Sequence, residues 1–262
     1  MKTVILSGGK GIRLANDSNF VPKAMIMLGQ RPIIWHILKR YALTGYKDFV
    51  LALGSKGELI RDYFTRYEDY TNDIQISLGS NQIKKLSQHQ EEGWKVSLVD
   101  TGVHALTGAR IHRCKKYLDG EDEFMVTYSD CVADININDL IKFHRKFKRI
   151  ATITGVIPPY REGELSVDNN LATGFYNPKK VEKNLFQRYV NGGFMVFNKK
   201  IFSYLSSFNE CKLETEVFSK LISDKQLAVY PHYGFWKWLD TDRDFQYLND
   251  LVDKNKMYWL QE

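Results

Sequence analysis

Residues Lys2–Leu14 read KTVILSGGKGIRL. The apolar run Lys2–Leu6 has the composition of a β-strand. It leads straight into Gly8, Gly9 and Gly11, with Lys10 between them and Arg13 just after. In an open parallel sheet, ligands bind beyond the carboxyl ends of the strands, so a loop in this place is a favoured site. Glycines let successive backbone N–H groups turn inward and come close to an anion. Arg13 offers a bidentate fork to phosphate oxygens, and Lys10 or Lys23 a point charge. Two familiar phosphate loops fail on spacing. The P-loop needs GxxxxGK followed by Ser or Thr, and no Ser or Thr follows the Gly9-Lys10 pair. The dinucleotide fingerprint GxGxxG finds its first two glycines in Gly9 and Gly11, but Leu14 stands where the third belongs. That argues against a nicotinamide dehydrogenase. A plain tight turn between strand and helix stays open.

Outward from this loop, strands and helices alternate. Pro32–Thr44 reads as a helix: Pro32 suits its first turn and Gly45 its C-terminal cap. Ile34, Ile37, Leu38 and Tyr41 share one face of it, with Lys39 and Arg40 off that face. Strands are expected at Phe49–Leu53, Lys95–Val99, Glu123–Tyr128 and Ala151–Val156. Helices are expected at Gly57–Arg66, Thr107–Leu118 and Asn138–Lys148. The alternation predicts an α/β fold of Rossmann-like type, a mostly parallel sheet flanked by helices. Beyond it the pattern is more mixed, with strands at Glu162–Val167, Leu171–Tyr176 and Arg188–Phe197 and helices near Glu214–Ser223 and Thr241–Leu251.

Composition narrows the class. In 262 residues, 37 basic against 31 acidic side chains leave a net charge of +6, which suits an anionic small substrate. No basic block interleaved with aromatics stands out, so no nucleic-acid partner is expected. No apolar segment approaches the length of a membrane span, and the apolar core at the N-terminus is short for a signal peptide. Cys114, Cys131 and Cys211 are widely spaced, without a CxxC, so neither a zinc knuckle nor a disulfide framework is indicated. A cytoplasmic setting is the expectation. The histidines show no HExxH spacing; His36 and His144 fall in helical patterns and read as core or surface residues, and Trp35, Trp94, Trp236 and Trp238 as packing.

Two carboxylates stand apart. Asp130 follows the apolar run EFMVTY, at the C-terminal edge of the sheet, and Asp240 lies in FWKWLDTD after apolar and aromatic residues. Mg²⁺ is commonly held by one or two carboxylates plus substrate phosphates and water. The competing reading of Asp130 is a helix N-cap or turn residue, and Asp240 competes with Thr241 to cap the last helix.

GGxGxRL followed by Pro22-Lys23 resembles the signature of the sugar-nucleotide pyrophosphorylases, nucleotidyltransferases that join a sugar 1-phosphate to a nucleoside triphosphate. Further stretches, in order, resemble the glucose-1-phosphate cytidylyltransferases over nearly the whole chain: GQRPIIWHILKRYALTGYKDFVLALGSKGELIRDYF, WKVSLVDTGVHALTGARI, TYSDCVADI, VNGGFMVF and GFWKWLDTDRD. The resemblance implies one nucleotidyltransferase domain over 1–262, with a nucleotide-binding part (1–157) and an acceptor-binding and C-terminal part (158–262). It implies CTP and a sugar 1-phosphate as substrates, Mg²⁺ on Asp130 and Asp240, and a homo-oligomer. Arg13, Lys23 and Asp130 would be catalytic. Leu6, Ser7, Gly8, Gly9, Lys10, Gly11, Ile12, Arg13, Lys23, Ala105, Arg110 and Ser129 would bind the nucleotide. Glu164, Lys179, Asn191 and Gly192 would bind the acceptor. From the residues alone, Arg110 reads as a solvated helix residue, and Asn191-Gly192-Gly193 equally as a strand-end bulge.

The chain departs from the family pattern in places. Ile12 replaces the usual Thr or Ser, and Ser129-Asp130-Cys131 replaces Gly-Asp-Gly. Glu164 stands where a small residue is usual. In GFYNPKK, Asn177 precedes Pro178 and the lysines Lys179 and Lys180 follow it, whereas the family has Glu-Lys-Pro.

Overall fold

The computed structural model describes residues 1–9, 21–87, 91–157, 164–168, 171–176 and 189–261. Its centre is a seven-stranded sheet. In chain order its strands are β1 (Thr3–Ser7), β2 (Asp48–Leu53), β3 (Lys95–Asp100), β4 (Glu123–Tyr128), β5 (Ala151–Val156), β6 (Val190–Asn198) and β7 (Leu227–His232). They lie side by side as β7-β5-β6-β4-β1-β2-β3. Pairing is parallel except for β6, which runs antiparallel to both β5 and β4. Strands such as β1 and β2 are buried along almost their whole length, as a sheet covered on both faces requires. Two strands from beyond residue 158 thus enter the same sheet as the first half.

Among the described residues the helices are α1 (Ile33–Leu43), α2 (Gly57–Thr65), α3 (Tyr67–Thr71), α4 (Thr107–Arg113), α5 (Ile137–Phe147), α6 (Phe218–Ser223) and α7 (Asp242–Asp253), with short 3₁₀ turns and two-stranded ladders between them. Two apolar clusters fill the two sides of the sheet. One joins α1 and α7 to Ile5, Phe49 and Leu51. The other joins α4 and α6 to Val4, Val50 and Val126. Alternate residues of β1 therefore face opposite layers, as the two-residue period of a strand dictates.

Helix α1 shows how local sequence is overridden. Pro32 is its N-cap rather than its first helical residue, and Gly45 follows the C-cap with φ +91°, a conformation open to glycine. The apolar face is buried as its periodicity predicts, but Arg40 is buried too. Its guanidinium donates to the backbone oxygens of Asp134, Ile135 and Gln261, bracketing two loops. His36 is a core residue: Nε2 meets the Leu28 carbonyl at 3.0 Å and Nδ1 accepts from Trp259 Nε1. Burial drives its pKa down to about 4, so the ring is neutral at physiological pH.

Other expected elements shift at their ends. The helix expected over Thr107–Leu118 divides into α4 and a 3₁₀ turn, Lys115–Leu118. The one near Glu214–Ser223 opens with a π-helical turn, Leu213–Val217, before α6. Strand β7 escapes the sequence pattern because Pro231 reads as a breaker; it is tolerated because β7 is an edge strand pairing only with β5. A two-stranded ladder, Cys131–Ala133 with Trp236–Trp238, is also too short to leave a period. No helix among the described residues is long and apolar enough to cross a membrane.

Candidate active site

The carboxyl ends of β1 and β4 are neighbours, with Leu6 in register with Tyr128. Above them opens a cavity of about 580 Å³ lined by Leu6–Gly9, Pro22–Ala24, Val103–Thr107, Arg110 and Tyr128–Asp130. The glycines after β1 divide into two kinds. A Cβ at Gly8 would fall 2.0 Å from the Arg110 Cζ, whereas one at Gly9 would meet nothing within 4 Å. Gly8 is glycine because a guanidinium lies against it. Gly9 faces open space, where an anion can approach its backbone. Lys10, Gly11, Ile12 and Arg13 lie outside the described residues.

Arg110 is neither solvated nor turned to the cavity alone. It is buried, and its terminal nitrogens donate to the carbonyls of Leu53, Gly102, Gly8 and Val103 and to Thr101 Oγ1. The loops after β1, β2 and β3 are therefore pinned to one cation. A Cβ at Gly54 would sit 2.4 Å from the same guanidinium. Burial, reinforced by the Arg113 charge, lowers the Arg110 pKa from its ordinary value, yet a guanidinium stays protonated. This corrects the solvated reading of Arg110: the residue is buried, lines the cavity and braces the loops that shape it. Ser129 is likewise occupied, its Oγ donating to the Leu6 carbonyl at 3.0 Å, while buried Ala105 forms part of the wall.

Asp130 and Asp240 meet around one cation. Lys23 Nζ lies 3.1 Å from Asp130 Oδ2 and hydrogen-bonds Asp240 Oδ1. The short ladder explains how carboxylates 110 positions apart converge: Trp238 pairs with Cys131, and the Leu239 N–H donates to the Asp130 carbonyl at 2.9 Å. Thr241, not Asp240, caps α7, in a capping box with Asp244. Asp240 is left with 57% of its side chain exposed, beside the cavity-lining Lys23. Burial raises the Asp130 pKa against the opposing pull of Lys23, with the Asp240 charge adding to the rise. Burial pulls Lys23 down, but its hydrogen bonds and charge contacts with Asp240 and Asp130 outweigh this and leave its pKa raised. Two carboxylates, one exposed, fit a hard cation that takes its remaining ligands from substrate phosphates and water. No group of three or more His, Cys, Asp or Glu able to hold a metal occurs among the described residues.

Asn191, Gly192 and Gly193 open β6 on the other side of Tyr128. The register between β5 and β6 slips here, Gly155 facing Asn191 and Ile153 facing Met195, so the bulge is real. It is also anchored. Asn191 Oδ1 accepts from the Gly193 N–H and Nδ2 donates to the Tyr128 hydroxyl. The Trp236 indole donates to the Gly192 carbonyl at 2.9 Å, and Trp238 packs on Tyr128. Both tryptophans pack against the apolar core as expected, and Trp236 adds the hydrogen bond to the turn. Glu164 opens a strand, Glu164–Asp168, paired with Leu171–Tyr176; Asn177, Lys179 and Lys180 lie outside the described residues. Sequence reasoning missed Thr101, Thr107, Tyr128 and Glu214. Of these, only Tyr128, ending an apolar strand beside Asp130, carried a signal.

A strand-end cavity with an anion-accessible glycine, a lysine and two convergent carboxylates is the apparatus of phosphate-ester chemistry. The family model described as Nucleotidyl transferase matches residues 2–249, and the chain belongs to that family. Within it, the chain is 38% identical to the "Probable glucose-1-phosphate cytidylyltransferase" of Bacillus subtilis (strain 168), over 99% of both chains. It is 36% identical to the glucose-1-phosphate cytidylyltransferase of Salmonella typhimurium, over 99% of this chain and 98% of that one. Among solved structures, HddC from Yersinia pseudotuberculosis complexed with GMP-PN shares the fold with a TM-score of 0.66 at 18% identity, covering 96% of this chain and 99% of that one. The protein is a nucleotidyltransferase of the type that forms nucleotide sugars.

Proposed function

We propose that the chain transfers the cytidylyl group of CTP to a sugar 1-phosphate, with glucose 1-phosphate as acceptor, giving a CDP-sugar and pyrophosphate. The observation that carries this is the convergence of Lys23, Asp130 and Asp240 beside the glycine-edged cavity. The cytidylyl preference and the acceptor rest on the two relatives above.

A phosphate monoester is largely dianionic at neutral pH, with a second pKa of about 6. Its oxygen attacks the α-phosphorus in line. The new P–O bond forms as the bond to the oxygen bridging the α- and β-phosphorus breaks, and pyrophosphate leaves with that electron pair. No general base is needed, so catalysis is alignment and charge neutralisation. The Gly8–Gly9 backbone receives the phosphates, and Arg13 adds charge to the leaving pyrophosphate. Lys23 neutralises the reacting phosphate, turning from the carboxylates to do so. Asp130 and Asp240 would hold Mg²⁺, which when bound neutralises phosphate charge. Asn191 and Gly192 face the sugar hydroxyls, and Lys179, shifted to follow Pro178 where the family has Glu-Lys-Pro, and Glu164 are the further candidates for the acceptor.

The test is a matrix: the protein with Mg²⁺, each ribonucleoside triphosphate and a panel of sugar 1-phosphates, with pyrophosphate release measured. Release from CTP with glucose 1-phosphate is expected to exceed every other pair. Release from UTP or another nucleotide but not from CTP would overturn the cytidylyl assignment.

A further inference from the structure

Glu214 belongs to none of the motifs above, yet it lies between the two halves of the site. One carboxylate oxygen, Oε2, accepts from the Thr107 hydroxyl at 2.7 Å; the other, Oε1, accepts from the Tyr128 hydroxyl at 2.6 Å. Each arm continues outward. Thr107 Oγ1 in turn accepts from the Leu213 N–H at 3.0 Å. The Tyr128 hydroxyl accepts from Asn191 Nδ2 at 3.2 Å, and Asn191 Oδ1 accepts from the Gly193 N–H. Every donor in the chain points toward the carboxylate, the arrangement in which successive hydrogen bonds polarise and strengthen one another. Thr107 lines the nucleotide cavity, and Asn191 opens the turn on the far side of Tyr128.

The base of this chain is closely tied. The Leu106 N–H donates to the Asn209 carbonyl and the Ala109 N–H to the Cys211 carbonyl. A Cβ at Gly108 would lie 2.7 Å from Cys211 Sγ, so Gly108 permits the close approach. Glu214 itself lies in the π-helical turn Leu213–Val217, a rare geometry often found at functional positions. These contacts tie the start of α4 to the segment that leads into Glu214.

The geometry points to Glu214 as a positioning residue that couples the two substrate sites, holding Thr107 on the nucleotide side and Tyr128 with Asn191 on the acceptor side in one hydrogen-bonded chain. This rests on the proposed assignment of the Asn191 turn to the sugar phosphate. With the carboxylate in place, Asn191 keeps one N–H, and the Tyr128 oxygen one lone pair, for the hydroxyls of a polyhydroxylated acceptor. A nucleotide that fixes Thr107 then fixes the acceptor set, and the reverse holds equally, because coupling is reciprocal.

The experiment measures KM for CTP and for glucose 1-phosphate at low and at saturating co-substrate, with Mg²⁺, in wild type, Glu214→Gln, Glu214→Asp and Tyr128→Phe. Each thermal midpoint is recorded alongside. Wild type is expected to show each KM falling by about fivefold or more as the co-substrate saturates, the low end of measured couplings. Glu214→Gln cannot accept from both hydroxyls in the same way; its two KM values should no longer respond to the co-substrate. Glu214→Asp, which keeps both acceptor oxygens, should restore part of the response. Tyr128→Phe should lose it as well, raising KM for the sugar phosphate but not KM for CTP at low sugar phosphate. An active wild type beside a Glu214→Gln variant with the same KM response, or with only a lowered thermal midpoint, overturns the coupling and leaves the proposed function standing. A wild type that turns over no nucleotide and sugar phosphate pair overturns the function and the coupling together.

Discussion

The two sides of the cavity are built by different means. On the side proposed for the nucleotide, parallel strands β1, β2 and β3 end at one level, and a single buried guanidinium ties the loops beyond them together. On the side proposed for the acceptor, the sheet admits its antiparallel strand β6, the register slips, and the turn at Asn191–Gly193 is held by side chains from elsewhere: Tyr128 and Trp236. The first side is braced from beneath by one buried cation. The second is fixed by a few hydrogen bonds among part-buried groups, with Glu214 as the link between them.

Five substitutions break or sharpen this contrast, in falling order of expected effect. Asp130→Asn, which removes charge at the meeting point of the two sides, should lower kcat by at least about 10²-fold, the scale of losing one preorganised electrostatic contact. Steady-state pyrophosphate release checks it, and an unchanged rate would remove Asp130 from the reaction. Arg110→Met removes the charged donor shared by the loops after β1, β2 and β3, and should cost about 3 kcal/mol of stability, at about 1.5–3 kcal/mol for a hydrogen bond to a charged group. Denaturant titration reads this; a loss below about 1 kcal/mol would mean that the guanidinium is not the brace. Gly8→Ala and Gly9→Ala form a matched pair. The first forces a methyl group into the Arg110 guanidinium and should destabilise by about 1–3 kcal/mol. The second has room and should leave the melting temperature alone while raising KM for CTP. Trp236→Phe removes one hydrogen bond to Gly192, worth about 1 kcal/mol, and should raise KM for the sugar phosphate severalfold with KM for CTP unchanged.

How much of this was legible in the sequence follows the same divide. Strands β1, β2, β4 and β5 and helix α1 announce themselves through apolar runs and capping residues, and the fold class follows from their alternation. Asp130 and Asp240 were visible because each ends an apolar run; that they meet was not, since their meeting depends on a three-residue ladder that no period reveals. Gly8 and Gly9 look alike in the sequence, and only the position of Arg110, about a hundred residues on, separates a packing glycine from an open one. Arg40 and Arg110 sit in amphipathic helices where an arginine reads as solvated. Both are buried where they donate to loop carbonyls distant in the chain. Glu214 was hidden for the same reason: its partners lie 86 and 107 positions away.

The central claim is that the acceptor's own phosphate oxygen attacks the α-phosphorus of the nucleotide. It is tested most directly by supplying CTP and glucose 1-phosphate labelled with ¹⁸O in its non-bridging phosphate oxygens, and locating the label by ³¹P NMR. The account predicts that all of the label stays with the CDP-sugar, on the phosphate next to the sugar and in the new bridge, and that pyrophosphate carries none. Label in pyrophosphate, or CMP formed in place of the CDP-sugar, would contradict it.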